Sequence, residues 1–134
     1  MPKISGEFNV KMAPESMSAV AAESGIGRMS LDKQYHGALD AVGKGEMLAF
    51  MDRALGSGAY VAMEKVQGTL DGRRGSFLLC HTGTMDRGAA GLTVAVVADS
   101  GQEELSGLAG ALHIRIEGGK HYYDFDYTLA AAVA

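Results

Sequence analysis

The sequence predicts an all-β fold, a closed eight-stranded antiparallel barrel. Three observations lead there. Apolar side chains recur with a period of two rather than 3.6 along most of the chain. Nineteen glycines against two prolines punctuate these runs at short intervals, which suits tight turns rather than a proline-rich linker. No helical pattern of about 10–15 residues separates the runs, which excludes alternating βαβ units.

In chain order, Ile4, Gly6, Phe8, Val10 and Met12 alternate with Ser5, Glu7, Asn9 and Lys11, giving a strand over 4–13. Residues 13–26 (APESMSAVAAESGI) break the alternation and read as a loop or a short helical turn. Met29, Leu31 and Tyr35 alternate with Ser30, Asp32, Gln34 and His36, giving a strand over 27–39. Strands over 44–54, 59–70, 75–86 and 91–98 follow, punctuated by AVGKG, GSG, DGRRG and RGAAG. Residues 99–109 (DSGQEELSGLA) form a longer connection with room for one helical turn at Gln102–Leu105. Leu112, Ile114 and Ile116 mark a strand over 110–117, and EGGK turns the chain into the last one, 121–129, with Tyr123, Phe125, Tyr127 and Leu129 on one face. The short turns make consecutive strands antiparallel. A meander leaves two exposed edges, and closing the sheet removes them; an open sandwich is the alternative. The interior of a closed eight-stranded barrel is filled by side chains or is just wide enough for one small ligand.

Composition bounds the function. A length of 134 residues with 47% hydrophobic content suits one domain over 1–134 with its own core. The net charge of −4 argues against a nucleic-acid or anionic-membrane surface, both of which need a basic footprint. A single cysteine excludes an internal disulfide framework and a cysteine-based zinc site. The opening MPKISGEFNV lacks the apolar run of a signal peptide, and LTVAVVA (92–98) and LAAAVA (129–134) are too short to span a bilayer. A cytoplasmic protein is expected.

The hairpin around DGRR (71–74) can be read residue by residue. With DGRR as a four-residue loop, Leu70 faces Gly75, Gly68 faces Phe77, Val66 faces Leu79 and Glu64 faces His81. A two-residue Asp-Gly turn is the competing register and pairs Glu64 with Leu79, leaving His81 on a diagonal. Both registers put Glu64 and His81 on the same, more apolar face, because the side-chain period is two. A carboxylate and an imidazole inside an apolar barrel are costly unless each has a partner. The plainer reading is a structural brace between two strands. The sharper one is a ligand-facing or catalytic pair, tuned as base and acid.

Tyr35, Tyr60, Tyr123 and Phe125, with Val66, Phe77 and Leu79 from the hairpin, are the candidate ligand-lining residues; the same positions also suit plain core. Met12, Met29, Met47, Met51 and Met63 fall in strands and would make a pocket deformable if they point inward. His36, His113 and His121 are scattered over different strands without HxH or HExxH spacing, so they read as surface or rim residues and no metal is expected. DFDYT (124–128) matches the Asp-x-Asp-x-Thr string of haloacid-dehalogenase-like phosphatases, but that chemistry needs the string early in a large α/β domain. GKG (43–45) and GIG (25–27) lack the third glycine and following helix of a nucleotide fingerprint, and no cofactor is expected. Cys80 lies on the less apolar face with no activating group beside it.

Several segments together resemble an uncharacterised, largely bacterial family, domain of unknown function 3224. They are DKQYHGAL (32–39), GKGEML (43–48), AYVAMEKVQGTLDGRRGSFLLCHTGTM (59–85), ELSGLAG (104–110) and YYDFDYTL (122–129). The central block, with Glu64, Gly68, Gly72, Gly75, Phe77, His81 and Gly83, is the most specific part. The resemblance implies a fold like the allene oxide cyclase and dirigent-type barrels, with an apolar cavity and usually oligomeric. It implies no activity, and no cyclase active-site residue has an equivalent here.

Two functions follow as expectations. In the first, the lumen binds a small apolar or aromatic molecule. Its enzymatic version is a cofactor-free isomerase or cyclase, with Glu64 as base and His81 orienting or protonating. In the second, the interior is packed solid and the protein is a structural or interaction module. A homodimer or small oligomer suits either, because Leu78, Met63 and Val97 are apolar at outward positions.

Overall fold

Successive side chains on a strand point to opposite faces, so each apolar row needs a common interior. The computed structural model, which describes residues 2–130, supplies one by curling the sheet onto itself. Its strands are β1 (Lys3–Glu15), β2 (Gly27–Tyr35), β3 (Leu39–Asp52), β4 (Ser57–Leu70), β5 (Arg73–Asp86), β6 (Ala89–Val96), β7 (Gln102–Glu103), β8 (Ala109–Glu117) and β9 (Lys120–Thr128). All except β7 form a closed antiparallel barrel in which every strand neighbours its successor and β9 pairs with β1. No helix among the described residues is long and apolar enough to cross a membrane. The last four residues of LAAAVA lie outside the described residues.

Several boundaries differ from the sequence reading. β2 stops at Tyr35 because Gly37, at φ 106°, turns the chain through a conformation that side chains rarely adopt. β3 therefore starts at Leu39 rather than near residue 44. β1 runs on to Glu15, and the expected helical turn at Gln102–Leu105 is instead a two-residue strand, β7, pairing with Gly75 and Ser76 of β5 and followed by turns.

The β4–β5 hairpin adopts the two-residue register. Leu70 pairs with Arg73, Gly68 with Gly75, Val66 with Phe77 and Glu64 with Leu79. The four-residue loop, with Glu64 directly opposite His81 and Phe77 covering Gly68, is thus corrected. The reason is local. Asp71 and Gly72 both have positive φ, 49° and 83°, the pair of conformations that lets a two-residue turn follow the twist of the flanking strands.

The lumen divides into two halves. At the end holding the β2–β3 and β4–β5 turns it is packed solid. Phe77 stacks on Phe125 at 5.9 Å between centroids, and Phe125 meets Tyr127 at 5.4 Å. The connection between β6 and β8 closes this end by burying Leu105 and Leu108. Tyr127 donates to Asp71 Oδ2, and burial together with that bond pushes the phenol up to about 12. Tyr123 donates to the His36 carbonyl at 2.7 Å, tying β9 to the β2–β3 turn. At the other end, where the β3–β4, β5–β6 and β8–β9 turns lie, the lumen is open. The seam between β6 and β8 is thin, with one register pair, Ala95 with Ala111, toward the packed end.

Candidate functional site

Four polar side chains meet where the packed half gives way to the open half. Lys33 and Tyr35, two apart on β2, share its inner face; Glu64 comes from β4 and His81 from β5. β3 lies between β2 and β4, and its inner surface would block Glu64 if it carried side chains there. At Gly43 a Cβ would fall 2.1 Å from Glu64 Oε2 and 3.1 Å from Tyr35 Cε2. The glycine leaves the gap through which Glu64 crosses to β2.

Glu64 is the hub. Its Oε1 accepts from Lys33 Nζ at 3.0 Å and from His81 Nε2 at 2.8 Å, while Oε2 accepts from Tyr35 Oη at 2.5 Å. Glu64 is 1% exposed, His81 2% and Lys33 6%. Burial alone would favour the neutral acid. The hydrogen bond from His81, the charge of Lys33 and the bonds from Tyr35 and Lys33 outweigh it and hold the carboxyl below its ordinary value. Tyr35 is pushed well above the ordinary phenol range, first by burial and then by the Glu64 charge it touches. The Lys33 ammonium also sits 5.2 Å from the Phe8 ring centroid and 5.9 Å from that of Tyr35.

Above this network lies a cavity of ≈300 Å³. Its walls are apolar, including Val10, Leu31, Met47, Leu92 and Ile114, and Lys33 and His81 form part of its lining. Glu64 does not line it. His81 bonds Glu64 through Nε2, and no sealed side-chain nitrogen among the described residues lacks a partner, so Nδ1 opens onto the cavity. His121 also lines the cavity, with its ring 5.2 Å from Phe8. A second, apolar hollow of ≈370 Å³ adjoins it through Met47, Tyr60 and Leu92 and reaches Met51 and Met85. Carboxylate-oriented imidazole at an apolar pocket is an arrangement that can bind a polar group or move a proton.

The expected site residues separate accordingly. Glu64 and His81 are brought into direct contact, along a diagonal. Tyr60 lines the cavity, lying over Gly83 of β5, where a Cβ would meet its ring at 2.1 Å. Tyr35 lies beneath the cavity, bonded to Glu64. Val66, Phe77, Leu79, Tyr123 and Phe125 do not line it; they are sealed in the packed half. Met12 and Met47 face the cavity, whereas Met63 points outward and is exposed. His36 and His113 are exposed, as is Cys80. Leu78 and Val97 are half-buried.

A family model described as "Protein of unknown function (DUF3224)" matches residues 4–127, nearly the whole barrel. The chain belongs to this family. The crystal structure of a DUF3224-family protein of unknown function from Shewanella oneidensis MR-1 is similar to it, with 45% sequence identity and a TM-score of 0.89. That similarity covers 98% of this chain and 99% of the other. No curated protein matches the chain. DUF3224 membership therefore carries the barrel and no activity, and the chemistry must be argued from the side chains.

Lys33 is the site residue that sequence reasoning passed over. Its position between Leu31 and Tyr35 in the inward row of β2 was the available signal.

Proposed function

We propose that this DUF3224 barrel holds a small apolar or aromatic molecule in the open half of its lumen. One observation carries the reading: the apolar cavity of ≈300 Å³ has its buried charged network confined to the floor, where Lys33 and His81 are available to a guest. Pockets for small molecules combine apolar walls with a few placed polar groups in this way. The Glu64–His81 bond favours a second, catalytic version, cofactor-free proton transfer such as isomerisation or cyclisation. In it the roles shift from those expected of the sequence. Glu64, engaged by three donors, orients, and His81 moves the proton through the nitrogen that faces the cavity.

Native mass spectrometry of freshly purified protein, with titration of an apolar fluorescent dye, tests the binding reading. A co-purifying small molecule, or dye uptake that Ala62→Phe abolishes by filling the cavity, supports it. Neither a bound molecule nor dye uptake would overturn it in favour of a structural or interaction module.

A further inference from the structure

We infer that the guest is an apolar carboxylic acid, seated head-first with its carboxylate on Lys33 and His81. The inference rests on the binding reading above and adds the chemical class of the ligand.

Lys33, His81 and His121 are the nitrogen-bearing side chains lining the cavity, and no carboxylate side chain lines it. The carboxylate at its floor, Glu64, is turned away and occupied by Lys33, His81 and Tyr35. An ammonium carries three N–H donors. Lys33 spends one on Glu64 Oε1, and its Nζ has no other hydrogen-bonded partner among the described residues. The Nζ also sits over the Phe8 and Tyr35 rings, and Lys33 lines the cavity. A buried ammonium with unused donors beside an apolar hollow favours an anionic oxygen there and disfavours a cation or a purely apolar group.

Two features select a carboxylate among anions. Lys33 offers unused N–H donors, while His81, whose Nε2–H is given to Glu64 Oε1, presents its cavity-facing Nδ1 as an acceptor. A carboxyl group matches both, one oxygen accepting from Lys33 and the other sharing its proton with His81 Nδ1. The remaining walls, Val10, Leu31, Met47, Leu92 and Ile114, are apolar and suit a hydrocarbon or aromatic tail pointing to the mouth. The head is thus placed at the floor and the tail at the opening.

Isothermal titration of the intact protein with a matched pair, 2-naphthoate and 2-naphthalenemethanol, tests this. The acid is expected to bind at least tenfold more tightly than the alcohol. In the charge-neutral double variant Lys33→Met/Glu64→Gln the advantage is expected to fall to about twofold or less. Equal binding of acid and alcohol by the wild-type protein would overturn the carboxylate and leave the cavity reading standing. Failure of both to bind would overturn the two together. A preference for the acid that persists in the double variant would show the anion held elsewhere and overturn the assignment to Lys33. The wild-type comparison decides even where the double variant does not fold.

Discussion

His81 reaches Glu64 along a diagonal: Ala62, not Glu64, is its partner across the β4–β5 ladder, yet His81 Nε2 stands 2.8 Å from Glu64 Oε1. Diagonal neighbours on one face of a sheet remain within reach of long side chains. The diagonal leaves Glu64 free to lean over β3 toward Lys33 and Tyr35, so one carboxylate bridges β2, β4 and β5.

Removing one member of this network should cost more than removing two. Glu64→Gln leaves the Lys33 ammonium buried without its counter-charge, and the expected loss is about 3–5 kcal/mol. Lys33→Met/Glu64→Gln removes both charges and should recover a large part of it. Urea unfolding of the single and double variants measures the difference; a double variant no more stable than Glu64→Gln would contradict the pairing.

Stability should fall in acid through Glu64. Its folded value lies below the ordinary 4.5, so the unfolded chain binds the proton more readily. The contribution is complete above about pH 4.5 and is lost as pH drops from there toward the folded value. Tyr35 acts on the alkaline side with the opposite sign. Its folded value lies well above 10.0, so its contribution holds below that and declines as pH rises further. Unfolding midpoints across pH check both arms, with Glu64→Gln flattening the acid limb and Tyr35→Phe the alkaline one. The exposed carboxylates of Asp32 and Glu46 are also lowered by their basic partners, but solvent screens those pairs.

Gly43→Ala should disturb the site from the outside of the network. Its methyl would occupy the space of Glu64 Oε2 and press on Tyr35, at an expected cost of about 1–3 kcal/mol. Gly27→Ala is the control, since its nearest neighbour there is the Ala49 carbonyl at 3.8 Å. Thermal unfolding distinguishes the two, and equal behaviour would argue against the crossing of Glu64 over β3.

Truncation should separate the two halves of the lumen. Leu79→Ala, in the packed half, is expected to cost about 2–5 kcal/mol. Leu92→Ala, at the cavity and 43% exposed, should cost well under half as much while weakening uptake of an apolar dye. Paired unfolding and dye titrations measure both effects.

The barrel was legible because period-two alternation and glycine turns are local signals. The face of Glu64 and His81 was legible too, since both candidate registers share the same parity. The register itself turned on whether Arg73 and Arg74 belong to the turn or to β5, and the positive φ of Asp71 decides that. Lys33 escaped because a charged residue in an apolar row is easily counted with the solvent face; what buries it is Glu64, 31 residues away. The division into halves was not legible from any one strand. It depends on Leu105 and Leu108 folding in from the β6–β8 connection to close one end and leave the other hollow.

The thin seam has a mechanical meaning. Around most of the ring, girth is fixed by long ladders of backbone bonds, but β6 meets β8 at a single pair, Ala95 with Ala111. Leu92 on one side of that gap and Ile114 and Ile116 on the other are also cavity walls. On this flank the diameter is set by how side chains press together, so it is the most compliant part of the wall. Widening of the lumen on this flank would break no ladder.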